Sequence, residues 1–259
     1  MKNKLNITLI QSHIYWEDVD SNLKNLDKIL KEINNTDIIL LPEMFNTAFS
    51  PGSFHLAETM KGKTIKWLLE MSQKKKSAIA GTLMIKEKGK VYNRLIWVSK
   101  KGIIYKYDKS HLFTLAKEHK HLTKGEHRII IEEEGWKICP LICYDLRFPV
   151  FSRNNIEYDI LIYLANWPVR RIKAWDTLLK ARSIENQCFT IGVNRIGKDN
   201  NEIEFNGHSS VYDSVGDQLI FSESNTTSVL KIKLESKKLQ LRRRQMPFLK
   251  DQDKFSINY

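Results

Sequence analysis

What most restricts the fold of this chain is a set of short apolar runs that stop abruptly at polar residues: "DIILLPE", "WKICPLIC", "DILIYLAN" and "CFTIGVNR". Each reads as a core strand, and "DIILLPE" is of the kind buried on both faces of a sheet. Strands of that kind need cover, and helical patterns lie between them. "KLNITLIQ" reads as a first strand, not a signal peptide, because its apolar part is short, alternates and has no small-residue cleavage site. A helix follows from about Asp18 to Ile33, and a second runs from Thr64 to Lys75. "SAIAGTLMIKEKGKVYNRLIWVSKKGIIYKYDK" predicts three strands turning near Gly89 and Gly102. A further helix is expected to start near Arg147, and a strong one spans Trp175 to Gln187. "SSVYDSVGDQLIF" and "SVLKIKL" read as late hairpin-like strands with a turn at Gly216, before an irregular tail. The fold class is α/β, with mixed sheets covered by helices on the outside.

At 259 residues the chain is long enough for one large domain, residues 1–259, whose tail from about 240 covers the core or reaches another subunit. Hydrophobic residues at 42% and charged residues at 28% are the balance of a soluble globular protein, and no apolar stretch approaches the ~20 residues of a membrane span. Three cysteines form no disulfide framework, which points to a reducing cytoplasm, and no Cys/His spacing suggests a metal site. The net charge of +12 raises nucleic-acid binding as an alternative. The lysines are dispersed, however, and no nucleic-acid motif accompanies them, so solvated faces that attract anionic substrates are the preferred reading.

The chemistry starts at "CPLICYDLRFP". Cys139 and Cys188 sit inside apolar strands, where a cysteine is usually core filler, but Cys143 falls at a strand end just before a polar turn. Backbone N–H groups of such a turn can lower a thiol pKa and can hold an oxyanion. A nucleophile needs a base, and the flanking signature of papain-like Cys–His enzymes is absent. Two other strand ends offer partners: Glu43 in "DIILLPEMF" and Lys109 in "GIIYKYDKSHLF". Taken singly, each is an ordinary surface or helix-entry residue. Functional residues of α/β folds collect at the carboxyl ends of strands, and the coincidence of these three raises a catalytic reading.

"LLPEMF", "YDKSHLF", "CYDLRFP", "NWP" (Asn166 to Pro168) and "KARSIENQ" (Lys180 to Gln187), in that order, resemble the motifs of the nitrilase superfamily, the carbon-nitrogen hydrolases. "KSHLF" followed by "AKEHKHLTKG" most resembles its bacterial omega-amidase branch, which acts on 2-oxoglutaramate and similar 2-oxo acid monoamides. The resemblance implies an α-β-β-α sandwich of two mixed sheets, a homodimer, no cofactor and a small-molecule amide substrate, with neither nucleic acid nor membrane as partner. It implies Cys143 as nucleophile, Glu43 as general base, Lys109 and the Tyr144 backbone N–H as oxyanion donors, and Glu118 as a fourth member that positions Lys109 or the substrate. Arg147 is a candidate for the substrate carboxylate, unless it pairs with an acidic residue of its own; Arg170 and Arg171 come second. Phe45, Phe113, Tyr144 and Trp167 are expected to wall the pocket, and Asp145 and Asn166 to fix loops. Within the superfamily, the alternatives are amidases for a carbamoyl amino acid or deaminated glutathione.

Overall fold

The computed structural model describes residues 2–257. Its strands are β1 (Lys4–Gln11), β2 (Ile38–Leu40), β3 (Ala78–Glu87), β4 (Lys90–Val98), β5 (Ile104–Asp108), β6 (Ile131–Glu133) and β7 (Trp136–Ile142). They continue with β8 (Ile160–Ala165), β9 (Phe189–Asn194), β10 (Ile196–Lys198), β11 (Glu204–Asn206), β12 (Ser210–Tyr212), β13 (Gln218–Phe221) and β14 (Ser228–Glu235). The helices are α1 (Val19–Lys31), α2 (Lys63–Lys75), α3 (Pro149–Ser152), α4 (Ile172–Asn186) and α5 (Ser236–Gln245). One six-stranded sheet has the order β14-β1-β2-β3-β4-β5, and the other the order β13-β12-β9-β8-β7-β6. Both are mixed: β1, β2 and β3 run parallel, as do β7, β8 and β9, while the outer pairs are antiparallel.

The period-two geometry of a strand explains how the layers stack. Along β2, Ile38 and Leu40 belong to a core shared with the second sheet, whereas Ile39 and the next residue after the strand, Leu41, pack with Leu23, Leu26 and Leu30 of α1 and with Ile65 and Leu68 of α2. On β4, Leu95 and Trp97 face the other sheet while Ile96 and Val98 face the helices. Trp175 and Leu179 of α4 join the residues of β7, β8 and β9. The result is the α-β-β-α sandwich, with the "DIILLPE" strand buried on both faces. No helix among the described residues is long and apolar enough to cross a membrane. Helix α1 begins where expected because the Asp18 side chain accepts the Ser21 N–H at 2.9 Å, capping an otherwise unpaired donor.

Three elements differ from the sequence reading. The helix expected from Arg147 is only a one-turn α3 preceded by a 3-10 turn over Cys143–Arg147. Pro149 disfavours helical backbone in the residue before it, and Phe148 adopts φ −113° and ψ 88°. The "SVLKIKL" strand does not extend the β12–β13 hairpin; as β14 it crosses to the first sheet and pairs along all of β1, from Lys4↔Glu235 to Gln11↔Ser228. The tail, read as irregular, contains α5. Its buried apolar face is reduced to Leu239, too little to register as a helical period, and it is held instead by Arg243. That guanidinium pairs with Asp159 at 3.0 Å and donates to the carbonyls of Tyr158 and Gln187. Residues 258 and 259 of the tail lie outside the described residues.

Phe45 illustrates how closely the helix-side layer is packed. A Cβ at Gly81 of β3 would stand 2.4 Å from the Phe45 ring and 3.1 Å from Leu41 Cβ, so this strand can carry only glycine there while Phe45 stays in place. Gly81→Ala is therefore expected to cost about 1–3 kcal/mol by overpacking, read from the urea unfolding midpoint with an unchanged m-value.

Candidate active site

The polar residues that end the core strands meet at one end of the sandwich. β7 stops at Ile142, and Cys143 takes φ +42°, a left-handed conformation that non-glycine residues rarely adopt. Such strain persists only where its surroundings enforce it, and here Asp145 does so. Its Oδ2 accepts the Ile142 N–H at 3.0 Å and the Tyr107 hydroxyl at 2.7 Å, and its Oδ1 accepts the His111 N–H at 3.0 Å. The His111 ring, with Nδ1 2.8 Å from the same oxygen, stacks on Phe148. Arg182 of α4 donates to the Leu146 carbonyl at 2.7 Å. The turn is thus pinned by β5, by the loop after it and by α4. Tyr144 falls at the start of the 3-10 turn, where backbone N–H groups have no partner within the turn, and its ring packs 4.9 Å from Phe113.

Beside the thiol lies a buried charge cluster. Lys109, Glu43 and Glu118 are fully buried. The Lys109 ammonium donates to Glu43 Oε1 at 2.9 Å and to Glu118 at 3.0 and 3.2 Å. Burial by itself would lower the lysine pKa, but the Glu118 and Glu43 carboxylates outweigh it, so the ammonium is held charged well above its ordinary range. Burial also pushes Glu118 up, against the pull of Lys109. Glu118 further accepts the Phe113 N–H at 2.6 Å, which ties its loop to the cluster. Asn166, directly after β8, donates its N–H to Glu43 Oε2 at 2.8 Å and its Nδ2 to the Glu43 carbonyl at 2.6 Å. The Cys143 thiol lies 3.8 Å from the Asn166 carbonyl, and Cys143 and Glu43 both line the floor of one pocket. Burial, then the Glu43 carboxylate, raise its pKa well above that of a free cysteine, so it is a protonated thiol next to a carboxylate. Cys139 and Cys188 are buried free thiols pushed up to about 12 by burial, and they lie away from this cluster.

The cluster opens onto a pocket bordered by Phe49, Phe113, Tyr144, Arg147, Trp167, Arg170 and Arg171. Glu43, Lys109, Cys143 and Asn166 form its floor, whereas Glu118 stands behind Lys109 and does not reach the pocket. Phe45 is a correction to the sequence reading: it does not line the pocket but packs 6.0 Å from Trp67 on the helix side. The turn after β2 points residue 43 inward and residue 45 into the outer layer, and Phe49 takes the wall position instead. Arg147 has no ion-pair partner among the described residues; its guanidinium lies 4.9 Å over the Trp167 ring. Arg171 lies 5.0 Å over Phe113, and burial followed by the Arg170 charge lowers its pKa. Among the described residues no group of three or more His, Cys, Asp or Glu side chains could hold a metal ion.

Two contributions escape sequence reasoning. Asn93 on β4 donates through Nδ2 to Glu43 at 2.8 Å and to Glu118 at 3.1 Å. Its only sequence signal is a polar side chain within the strand "VYNRLIWV". The β10–β11 hairpin, which belongs to neither large sheet, brings Asp199, Ile203 and Phe205 to the pocket rim, and nothing local to its sequence announces that position.

This sandwich, with its buried carboxylates and a cysteine at a strand end, defines a class, and comparison with known proteins gives it a name. The chain belongs to the carbon-nitrogen hydrolase family, whose sequence model matches residues 6–244. It is accordingly a hydrolase of carbon–nitrogen bonds other than peptide bonds. It is 40% identical to the omega-amidase YafV of Yersinia enterocolitica, covering 98% of both chains. It is 34% identical to the 2-oxoglutaramate amidase of Bacillus subtilis, over 82% of this chain and 84% of that one. A solved CN-hydrolase superfamily protein of Xanthomonas campestris, with an arsenic adduct in its active site, superposes with a TM-score of 0.96 at 35% identity, covering 98% and 99% of the two chains.

The left-handed backbone at Cys143 has a measurable consequence. Cys143→Gly and Cys143→Ala both delete the thiol, but only the glycine relieves the strain. The glycine variant is expected to be the more stable by roughly 1 kcal/mol in urea unfolding, an order that reverses if the backbone there is unstrained.

Proposed function

We propose that the protein hydrolyses the terminal amide of small 2-oxo dicarboxylic acid monoamides, 2-oxoglutaramate and 2-oxosuccinamate, through a thioester on Cys143. The observation that carries this reading is the pairing of a thiol–carboxylate couple on the pocket floor with Arg147, a pocket cation that has no carboxylate partner among the described residues. A substrate with a reactive amide at one end and a carboxylate at the other complements that polarity. The crowding of Arg170 and Arg171 beside Arg147 adds positive potential, and the excess of basic residues extends it over the surface. Similarity to omega-amidases and to a 2-oxoglutaramate amidase points to the same chemistry.

In the reaction, Glu43 takes the Cys143 proton as the sulfur attacks the amide carbonyl, and the carbonyl π electrons pass to oxygen. Lys109 and the Tyr144 N–H stabilise that oxyanion. The oxyanion collapses and the C–N bond breaks, while the nitrogen takes the proton from Glu43 and leaves as ammonia. Water then gives Glu43 a proton as its oxygen attacks the thioester; the C–S bond breaks, and the sulfur recovers the proton. Glu118 holds the ammonium in place throughout. Phe113, Tyr144 and Trp167 wall the substrate, and Arg147 receives its carboxylate. A homodimer in the cytoplasm is part of the same proposal: superfamily resemblance supports the dimer, and three free thiols support a reducing compartment. So is a single catalytic domain over residues 1–259, to which the long family match lends support.

An ammonia-release assay tests the reading over 2-oxoglutaramate, 2-oxosuccinamate, glutamine, a carbamoyl amino acid and a simple nitrile. The two oxo-acid amides are expected to dominate, with Cys143→Ala inactive and Glu43→Gln reduced by about 10²–10⁴-fold in kcat. Failure of both oxo-acid amides would discard the substrate, and an active Cys143→Ala would discard the thioester route. Ammonia release from the carbamoyl compound alone would favour that alternative. Arg147→Ala should raise KM for the oxo-acid amides by about 10–100-fold, the value of a charge-assisted hydrogen bond.

A further inference from the structure

The two oxygens of Glu43 are not equivalent. Oε1 accepts from Asn93 Nδ2 at 2.8 Å and from the Lys109 ammonium at 2.9 Å, which occupies both of its lone pairs. Among the described residues Oε2 accepts a single N–H, that of Asn166 at 2.8 Å, which leaves it one lone pair. The Asn166 carbonyl is also the group that the Cys143 sulfur approaches, at 3.8 Å. Oε2 and the thiol therefore share one neighbour, Asn166, which also lines the pocket.

Asn93 is fixed in the orientation that this requires. Its Oδ1 accepts the Thr82 hydroxyl at 2.8 Å, and that same hydroxyl oxygen accepts the Met44 N–H at 2.8 Å, one residue from Glu43. With the oxygen end of the amide turned to Thr82, the NH₂ end must face the carboxylates; the flipped amide would set an oxygen against two carboxylates. Each of its two N–H bonds then serves a different one, Glu43 and Glu118. The Asn93 carbonyl also accepts the Lys109 N–H at 2.9 Å. One uncharged, fully buried residue thus touches all three members of the charge cluster.

We propose that Asn93, oriented by Thr82, is a positioning residue that reserves Glu43 Oε1 as an anchor and leaves Oε2 as the atom that carries the proton. At each step the proton moves between Oε2 and, in turn, the Cys143 sulfur, the leaving nitrogen and the attacking water, while Oε1 keeps its two donors. Without the Asn93 N–H, the ionised carboxylate loses a donor and a second proton site opens on the wrong oxygen. This inference rests on Glu43 as the base in the proposed reaction.

The test follows the rate of Cys143 alkylation by iodoacetamide against pH, read by intact mass, beside the pH profile of kcat/KM for 2-oxoglutaramate. Alkylation needs no substrate, and the other two thiols are buried. Asn93→Ala is expected to move the acid limb of both profiles upward by about one to two pH units, the size of one hydrogen bond to a charged group. Asn93→Asp should move it further, because it adds a third carboxylate. Thr82→Val should shift the limb in the same direction by less, and Thr82→Ser should restore it. Thermal melts establish that each variant is folded; if Asn93→Ala and Asn93→Asp are not, the Thr82 pair decides. A uniform fall in rate with an unmoved limb, or Thr82→Val matching Thr82→Ser, overturns the inference. An alkylation profile unchanged by Glu43→Gln removes Glu43 as base, and the inference falls with it. A shifted alkylation limb without ammonia release from 2-oxoglutaramate keeps the inference and discards only the substrate.

Discussion

The rest of the structure depends on a buried ammonium shared by two buried carboxylates. Removing Lys109, Glu43 and Glu118 from water costs several kcal/mol per ion, and mutual attraction recovers this only where every remaining lone pair and proton finds a partner. One cation against two anions leaves the group a charge short, so uncharged donors complete it: the Asn93 amide and the backbone N–H groups of Asn166 and Phe113. These donors come from β4, from the end of β8 and from the loop after β5, which belong to both sheets. The cluster forms only when the two sheets are face to face in register. In that sense the sandwich core and the charge cluster select one arrangement together, the first by apolar area and the second by direction.

The elbow at Cys143 follows the same pattern on a smaller scale. Its φ of +42° is unfavourable on its own, and the Asp145 carboxylate enforces it through four contacts to Ile142, Tyr107 and His111. Rigidity supplied by one buried acid keeps the sulfur against Glu43, while the thiol pKa stays high. A thiol of that kind is inert until its proton has somewhere to go.

On the pocket side the electrostatics change sign. Arg147, Arg170 and Arg171 crowd the wall, two of them lying over the rings of Trp167 and Phe113. Aromatic faces hold the guanidinium groups without consuming their hydrogen bonds, so the donors remain available to a ligand. A carboxylate on the pocket floor beside the thiol and cations gathered on the wall give the pocket the polarity on which the proposed anionic amide substrate rests.

Several of these features are written in the chain itself. The apolar runs "DIILLPE" and "WKICPLIC" dictate core strands because nothing in them tolerates water, and their polar stops place Glu43 and Cys143 at strand ends. The motifs around Glu43, Lys109, Cys143 and Glu118 are contiguous, which is why the family resemblance could be read from them. Other features depend on partners distant in sequence. Phe45 looks like a pocket residue from its neighbours but is drawn into the outer layer by the space over Gly81. β14 pairs with β1 across more than two hundred residues, and α5 is tied down by Arg243 on Asp159 and by Ser236 on the Asn3 carbonyl, so local pattern showed neither the partner of the strand nor the presence of the helix. Asn93 is an unremarkable strand residue until β4 lies beside Glu43 and Glu118. The sequence by itself determined the core strands, the two long helices of the outer cover and which polar residues stand at the strand ends, since hydrophobic period and strand ends are local properties. Only the tertiary structure decided which oxygen, which ring and which cation face one another, because hydrogen-bond direction and ion pairing exist only between groups the fold has already brought within reach.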